Sequence, residues 1–253
     1  MRNVYVGTIG WSYNFWKGAF YPVKLPSPKF LSFYASQFNT VEVDNTFYRI
    51  PNPQALLKWK QQTPDGFIFS LKFPQLITHI KMLKDCQRET SLFLERAKLL
   101  GQKLGPLLLQ FPPSFGKEQL PALSSFLRDL PKENRYVVEV RSKSLLTESF
   151  YSILKENNAA FAWVENPIMP QSREVTSDFL YVRLEGDRRK VNGLLGKVEV
   201  DRGKDIASWA ETVKPYSDKE MKVYVYFGKF YSGLPPFDVK EFHKYIGLPA
   251  SDL

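Results

Sequence analysis

Glu42, Lys72, Gln110, Glu139, Arg141, Arg183 and Glu185 are the side chains with which this chain could do chemistry. Each lies near the end of an apolar run: TVEVDN (40–45), FIFSLK (67–72), PLLLQF (106–111), RYVVEVR (135–141) and LYVRLEG (180–186). An extended strand sends successive side chains to opposite faces. Val41 and Val43 therefore share one face and Glu42 takes the other. The same rule sets Phe69 and Leu71 against Ser70 and Lys72, and Leu109 and Phe111 against Gln110. It also sets Val138 and Val140 against Glu139 and Arg141, and Val182 and Leu184 against Arg183 and Glu185. Charges leave water only when they are paired or put to use. The polar face is where function is expected.

The residue types suggest roles. A guanidinium fork donates two parallel hydrogen bonds to a carboxylate or phosphate, so Arg141 and Arg183 are candidate anion clamps, with Lys72 as a third cation. Glu42 and Glu139 are the candidate acid and base, and Gln110 an orienting partner. His79, after the third strand, is the one imidazole expected at that rim that could shuttle protons near neutral pH. Such a set would suit hydrolysis or elimination at a phosphate- or carboxylate-bearing sugar. Glycoside hydrolysis is a variant, needing two carboxyl groups roughly 5–10 Å apart. A divalent cation on Glu42, Glu139 and Glu185 is disfavoured by the adjacent bases. With a single cysteine, Cys86, and only His79 and His243, no metal and no cofactor are expected. Three acids against three bases also permit a purely structural network, in a non-catalytic or ligand-binding protein.

Two loops flank this set. GWSYNFWKGAFYP (10–22) carries Trp11, Tyr13, Phe15, Trp16, Phe20 and Tyr21. Such a loop either stacks on a sugar or base or closes over itself as an apolar plug; both readings stand. DNTFYRIPNP (44–53) brings Asn45, Tyr48 and Arg49 to the same rim. A net charge of +9 favours anionic partners, a small substrate first and nucleic acid (bound or cleaved) as the alternative. No dense Lys/Arg block supports the second.

The elements that must position these residues alternate along the chain. Strands are predicted at 4–9, 40–44, 67–72, 106–111, 135–141, 160–164, 179–185 and 221–227. Helices are predicted at 28–37, 53–62, 82–103, 117–129, 145–157, 204–214 and 238–246, with 165–178 irregular. Cys86 falls in the third predicted helix as a semi-buried thiol, and His243 in the last as a structural or solvent-facing residue. β/α alternation over 253 residues predicts one domain, 1–253: a (β/α)8 barrel of the triosephosphate-isomerase type, with active residues at the C-terminal strand ends. GTIGWS (7–12) is a weak match to a phosphate-binding glycine motif, which disfavours an open doubly wound sheet. In KVYVYFG, Val223 and Val225 should point outward, Tyr224 and Tyr226 inward. No apolar segment long enough for a signal or membrane span is present, so a cytoplasmic location is expected. Oligomeric state is left open.

GTIGWSYNFWKGAFYP, FNTVEVDNTFYRIP, WKQQTPDGFIFSLKFPQLITHIKML, LGPLLLQFPPSF, VVEVRSKS and YVRLEGD together resemble the YecE-like family, domain of unknown function 72. The resemblance implies a triosephosphate-isomerase-type barrel and no activity. By motif position it implies recurrent polar residues at Glu42, Asn45, Tyr48, Lys72, His79, Gln110, Glu139, Arg141 and Arg183. The chain departs from the pattern at Ser142 and Glu185, where the resemblance implies histidine, and at Gly228 and Lys229, where it implies asparagines.

Overall fold

The computed structural model describes residues 3–247. Its eight strands are β1 (Val4–Thr8), β2 (Thr40–Val43), β3 (Ile68–Lys72), β4 (Leu104–Gln110), β5 (Tyr136–Glu139), β6 (Ala160–Glu165), β7 (Phe179–Gly186) and β8 (Lys222–Phe230). All belong to one parallel sheet in the order β1-β8-β7-β6-β5-β4-β3-β2. Helices α1 (Phe30–Gln37), α2 (Pro53–Gln61), α3 (Gln87–Ala97), α4 (Leu120–Asp129), α5 (Glu148–Glu156), α6 (Gly203–Asp218) and α7 (Pro235–Ile246) alternate with the strands. The β6–β7 crossover has no helix, as the irregular 165–178 composition suggested. The fold is a (β/α)8 barrel.

Alternation builds two apolar layers. Val41, Val43, Leu109, Val138, Val182, Val223 and Val225 belong to the core between strands and helices. Leu108, Val137, Ala160, Ala162, Tyr181, Tyr224 and Tyr226 form a separate inner core within the barrel. Mid-barrel, the Thr40 hydroxyl donates to the Ile68 carbonyl at 2.8 Å. The Tyr226 hydroxyl must therefore donate to Thr40, also 2.8 Å away, and accept from Ser70 at 2.7 Å. This polar layer supports the mouth above it.

Between β1 and β2 the barrel is closed by substitutes for strand pairing. The Gly10 N–H donates to the Glu42 carbonyl at 2.8 Å, beside an Ile9–Glu42 bridge. Lower down, the Asn39 side-chain amide takes the place of a peptide group. Its Nδ2 donates to the Val4 carbonyl at 2.9 Å, and its Oδ1 accepts from the Val6 N–H at 3.1 Å. Between these, the Tyr34 hydroxyl accepts from the Thr8 N–H at 2.8 Å and donates to the Thr40 carbonyl at 3.0 Å. Asn39→Ala should lower stability by about 1–3 kcal/mol, because it strands one donor and one acceptor on β1. Urea denaturation checks this; an unshifted midpoint would mean that water replaces the amide at no cost.

The main correction to the predicted elements concerns 82–103. The α-helix starts only at Gln87, after a single π turn at Leu76–Ile80 and left-handed backbone at Met82, Leu83 and Asp85. It ends at Ala97; a tighter 3-10 segment, broken at Gly101 (φ 59°), leads into β4. Cys86 therefore precedes α3 rather than lying within it, and it is buried. His243 is buried in α7, its ring edge-on to Phe38, and burial lowers its imidazole to about 4. It is neutral at physiological pH. Among the described residues, no helix is long and apolar enough to cross a membrane.

Candidate functional site

Strand β7 presents Tyr181, Arg183 and Glu185 at alternate positions, all on one face. Arg183 anchors the site. Its Nε and Nη2 donate to Glu42 Oε2 at 2.9 Å and Oε1 at 2.8 Å, a two-point clamp across the barrel from β2. Its Nη1 donates to Glu139 Oε2 on β5 and to Glu185 Oε1 at 2.8 Å. The Tyr181 hydroxyl donates to Glu42 Oε2 at 2.8 Å. Arg141, just beyond β5, repeats the pattern: its Nε donates to Glu139 Oε1 at 2.6 Å, and its Nη2 to both Glu185 oxygens at 2.7 and 2.8 Å. The Asn166 amide donates to Glu185 at 3.3 Å.

Depth divides the cluster. Glu42 and Glu139 are 0% and 1% exposed, and Arg183 is buried with them. Arg141 and Glu185 retain 17% and 19% side-chain exposure and form its outer edge. Four N–H groups of Arg183 are taken by the chain's own carboxylates, whereas Nη1 of Arg141 has no partner among the described residues. Lys72 stands beside the cluster. Its Nζ donates to Asp44 at 3.0 Å and lies 4.2 Å from the centre of the Phe47 ring. The His79 Nδ1 shares a hydrogen bond with the Thr78 hydroxyl at 2.9 Å, and its ring meets Phe47 edge-on.

These positions set the protonation states. Burial raises the Glu42 carboxyl above its ordinary value, and Arg183 only partly offsets this. Burial opposes ionisation of Glu139 too, but Arg183, Arg141 and Lys72 outweigh it and hold the carboxyl at about 2. Burial also works against the charge on Arg183, yet Glu139, Glu42 and Glu185 keep it well above the usual guanidinium value. Burial, then Lys72 and Arg141, lower the His79 imidazole below 6.5. His79 is a neutral base at physiological pH, close enough to the cations to feel them.

Glu42, Glu139, Arg141, Arg183 and Glu185 thus form one hydrogen-bonded unit. Lys72 and His79 adjoin it without a direct bond. Two expectations need correction, and one alternative left open is narrowed. Glu42 and Glu139 do not flank a cleft, as a glycosidase pair would, because Arg183 and Arg141 cover their oxygens. Gln110 turns its amide to the neighbouring Phe111 carbonyl at 2.7 Å, a local bond that its strand-end position makes available. Trp11 is buried edge-on against Trp59 of α2, and Trp16 and Tyr21 are buried against their loop neighbours and α1. Phe20 and Tyr21 pack on Phe30 and Phe33 of α1 and on Phe38, which follows it, so much of the aromatic loop closes on the protein itself, with Tyr13, Phe15 and Phe20 half-buried.

The remaining rim residues are dispersed. Tyr13 donates to the Ile9 carbonyl at 3.0 Å; burial, with Asp44 and Glu42 nearby, raises its phenol to about 12. Asn45 and Tyr48 are exposed on the turn after β2, Tyr48 edge-on to Phe47. Sequence reasoning missed Tyr181 and Asp44, although each is one alternation step from a recognised residue, Arg183 and Glu42. It also missed Asn166, which lies in the irregular link and gives no periodic signal.

The family described as "Protein of unknown function DUF72" matches residues 5–252. The chain belongs to the DUF72 family. It is 41% identical to UPF0759 protein YecE of Escherichia coli K12 over 138 residues, 54% of this chain and 48% of that protein. It is 29% identical to UPF0759 protein YunF of Bacillus subtilis over 171 residues, 64% of this chain and 59% of the relative. The matched region thus spans about half the length of these curated relatives. A DUF72 protein from Thermotoga maritima superposes with a TM-score of 0.78 at 26% identity, covering 96% of this chain and 99% of the other. One from Enterococcus faecalis does so at 0.76 and 23% identity, covering 97% and 96%.

Two of the positions where the resemblance implied another side chain, Glu185 and Gly228, meet at the mouth. Glu185 takes up both arginines. Gly228 lies against it: a Cβ there would stand 3.2 Å from the Glu185 Cα and carbonyl oxygen. Ser142 bonds Ser144, and Lys229 lies over the Phe230 ring, both away from the cluster.

Proposed function

We propose that the C-terminal mouth is the active site of an enzyme, a hydrolase or lyase, that takes a small substrate bearing a phosphate or carboxylate. The observation that supports this most is the seat of Glu185. Its carboxylate rests on Arg141 and Arg183 at the solvent edge, as a ligand's oxyanion would. An entering anion displaces Glu185, meets the open Nη1 of Arg141 and gains Lys72. Glu42 and Glu139 act as positioning residues that hold the guanidinium groups rigid. His79, neutral and half-exposed, is the group that accepts the proton.

Turnover and binding should be screened with phosphorylated sugars and hydroxy acids, reading product release by NMR. Arg141→Ala should weaken binding roughly tenfold or more, the loss of a charge-assisted pair. His79→Gln should leave binding in place and lower kcat about 10²–10⁴-fold. Unchanged turnover in His79→Gln would end its catalytic role, and unchanged affinity in Arg141→Ala would end the anion reading. Burial of Trp11, Trp16 and Tyr21 leaves less of the aromatic loop for base stacking, which favours a small anionic substrate over nucleic acid.

A further inference from the structure

A cavity of about 350 Å³ opens near the opposite end of the barrel, at the N-terminal ends of β4 and β5, lined by Lys98, Gly101, Gly105, Glu133, Asn134 and Arg135. Its charges are unevenly paired. Lys98 faces exposed Glu133 at 3.2 Å. The Arg135 guanidinium, half-buried, has no hydrogen bond or ion pair among the described residues. Half-buried Lys222, which starts β8, likewise has no partner for its ammonium among them. Burial, and after it Arg135, lowers the Lys222 ammonium, while Asp178 in the same neighbourhood acts in the opposite sense; Lys222 lies beside the cavity and not on its wall. The Lys60 ammonium reaches the same cavity wall, 3.0 Å from where a Gly101 Cβ would stand.

Unpaired like charges held together are costly. An unpaired, half-buried arginine and a lysine on one cavity wall, against a single carboxylate, suit an oxyanion. The volume is about that of ten waters, enough for phosphate or a small phosphomonoester. Gly105 must stay bare for its strand to pack, since a Cβ would lie 2.4 Å from Ile68 Cγ2.

We infer that this cavity is a second anion site, independent of the mouth, that binds a small phosphate-type oxyanion through Arg135 with Lys98. Neither the proposed chemistry nor Glu185 enters the argument, so it stands or falls separately.

The test is a titration of the full chain with inorganic phosphate, followed by amide NMR at ionic strength held constant with chloride. The Gly101 and Gly105 amides report on this cavity; Gly186 and Gly228 report on the mouth. Saturable shifts at Gly101 and Gly105 are expected, weakened roughly tenfold or more in Arg135→Ala and retained in Arg141→Ala. Among the described residues Arg135 makes no side-chain bond, so Arg135→Ala should keep the dispersed spectrum of the folded protein; Lys98→Ala, on the same cavity wall, gives a second variant with the same expected weakening. The proposal is overturned if chloride alone reproduces the shifts, if they persist unweakened in both variants, or if phosphate moves only the mouth amides. Binding of DNA or RNA with no response to phosphate would likewise overturn it, in favour of an extended polyanion surface.

Discussion

Arg183→Ala will destabilise the fold by about 3–5 kcal/mol near pH 7, the cost of leaving a buried charge without its partner. Glu42 bears most of this. Among the described residues its carboxylate accepts only from Arg183 and Tyr181, whereas Glu139 keeps Arg141. The pH dependence follows from the two carboxyls. Glu139 is held at about 2, below its ordinary 4.5. Its stabilisation is complete above the unfolded value and is lost as pH falls toward 2. Glu42 runs the other way: its carboxyl is raised by burial, so its contribution falls as pH rises through the folded value. Without Arg183 both carboxyls shift upward, and the variant should lose less stability at about pH 5 than near pH 7. Urea midpoints at both pH values read this directly. In an Arg183→Met background, Glu42→Gln should recover much of the loss, because an uncharged amide replaces the stranded carboxylate. Equal midpoints for wild type and Arg183→Ala near pH 7 would show that the network does not support the fold.

Gly7→Ala is expected to cost at least ~3 kcal/mol, at the upper end of what overpacking produces. A methyl at Gly7 would stand 2.1 Å from the Thr40 carbonyl oxygen and 2.9 Å from the Tyr34 hydroxyl. The first is backbone and cannot rotate away, so β1 must separate from β2. Tyr34→Phe isolates the other component. It removes the bonds to Thr8 and Thr40, for about 1–3 kcal/mol, but does not relieve Gly7→Ala. Hydrogen exchange at the Thr8 and Gly10 amides should accelerate in Gly7→Ala before the rest of the barrel opens. A variant with an unshifted denaturation midpoint would mean that the β1–β2 closure is slack.

The mouth and the closure differ in how visible they were beforehand. Glu42, Glu139, Arg183 and Glu185 could be placed on one face because a strand's period of two is a local property. The same rule separated Val223 and Val225 from Tyr224 and Tyr226, and the two cores follow that division. The third helix was predicted too early because Met82, Leu83 and Asp85 adopt left-handed backbone that no residue preference announces. Asn39 carries no periodic signal, and nothing nearby in the sequence indicates that its amide completes a strand pair.

By itself, then, the amino-acid order determined the eight strands, their inward and outward faces, and the gathering of ionic side chains at one end. These follow from hydrophobic periodicity, which needs no knowledge of distant residues. Only the tertiary structure decided that Arg183 is occupied by three carboxylates from β2, β5 and β7. It also decided that Gln110 turns to its own backbone and that the aromatic loop packs on α1. Those outcomes depend on which groups come within about 3 Å of one another across the barrel, and a hydrogen bond between residues 141 positions apart is set by closure of the sheet, not by any spacing along the chain.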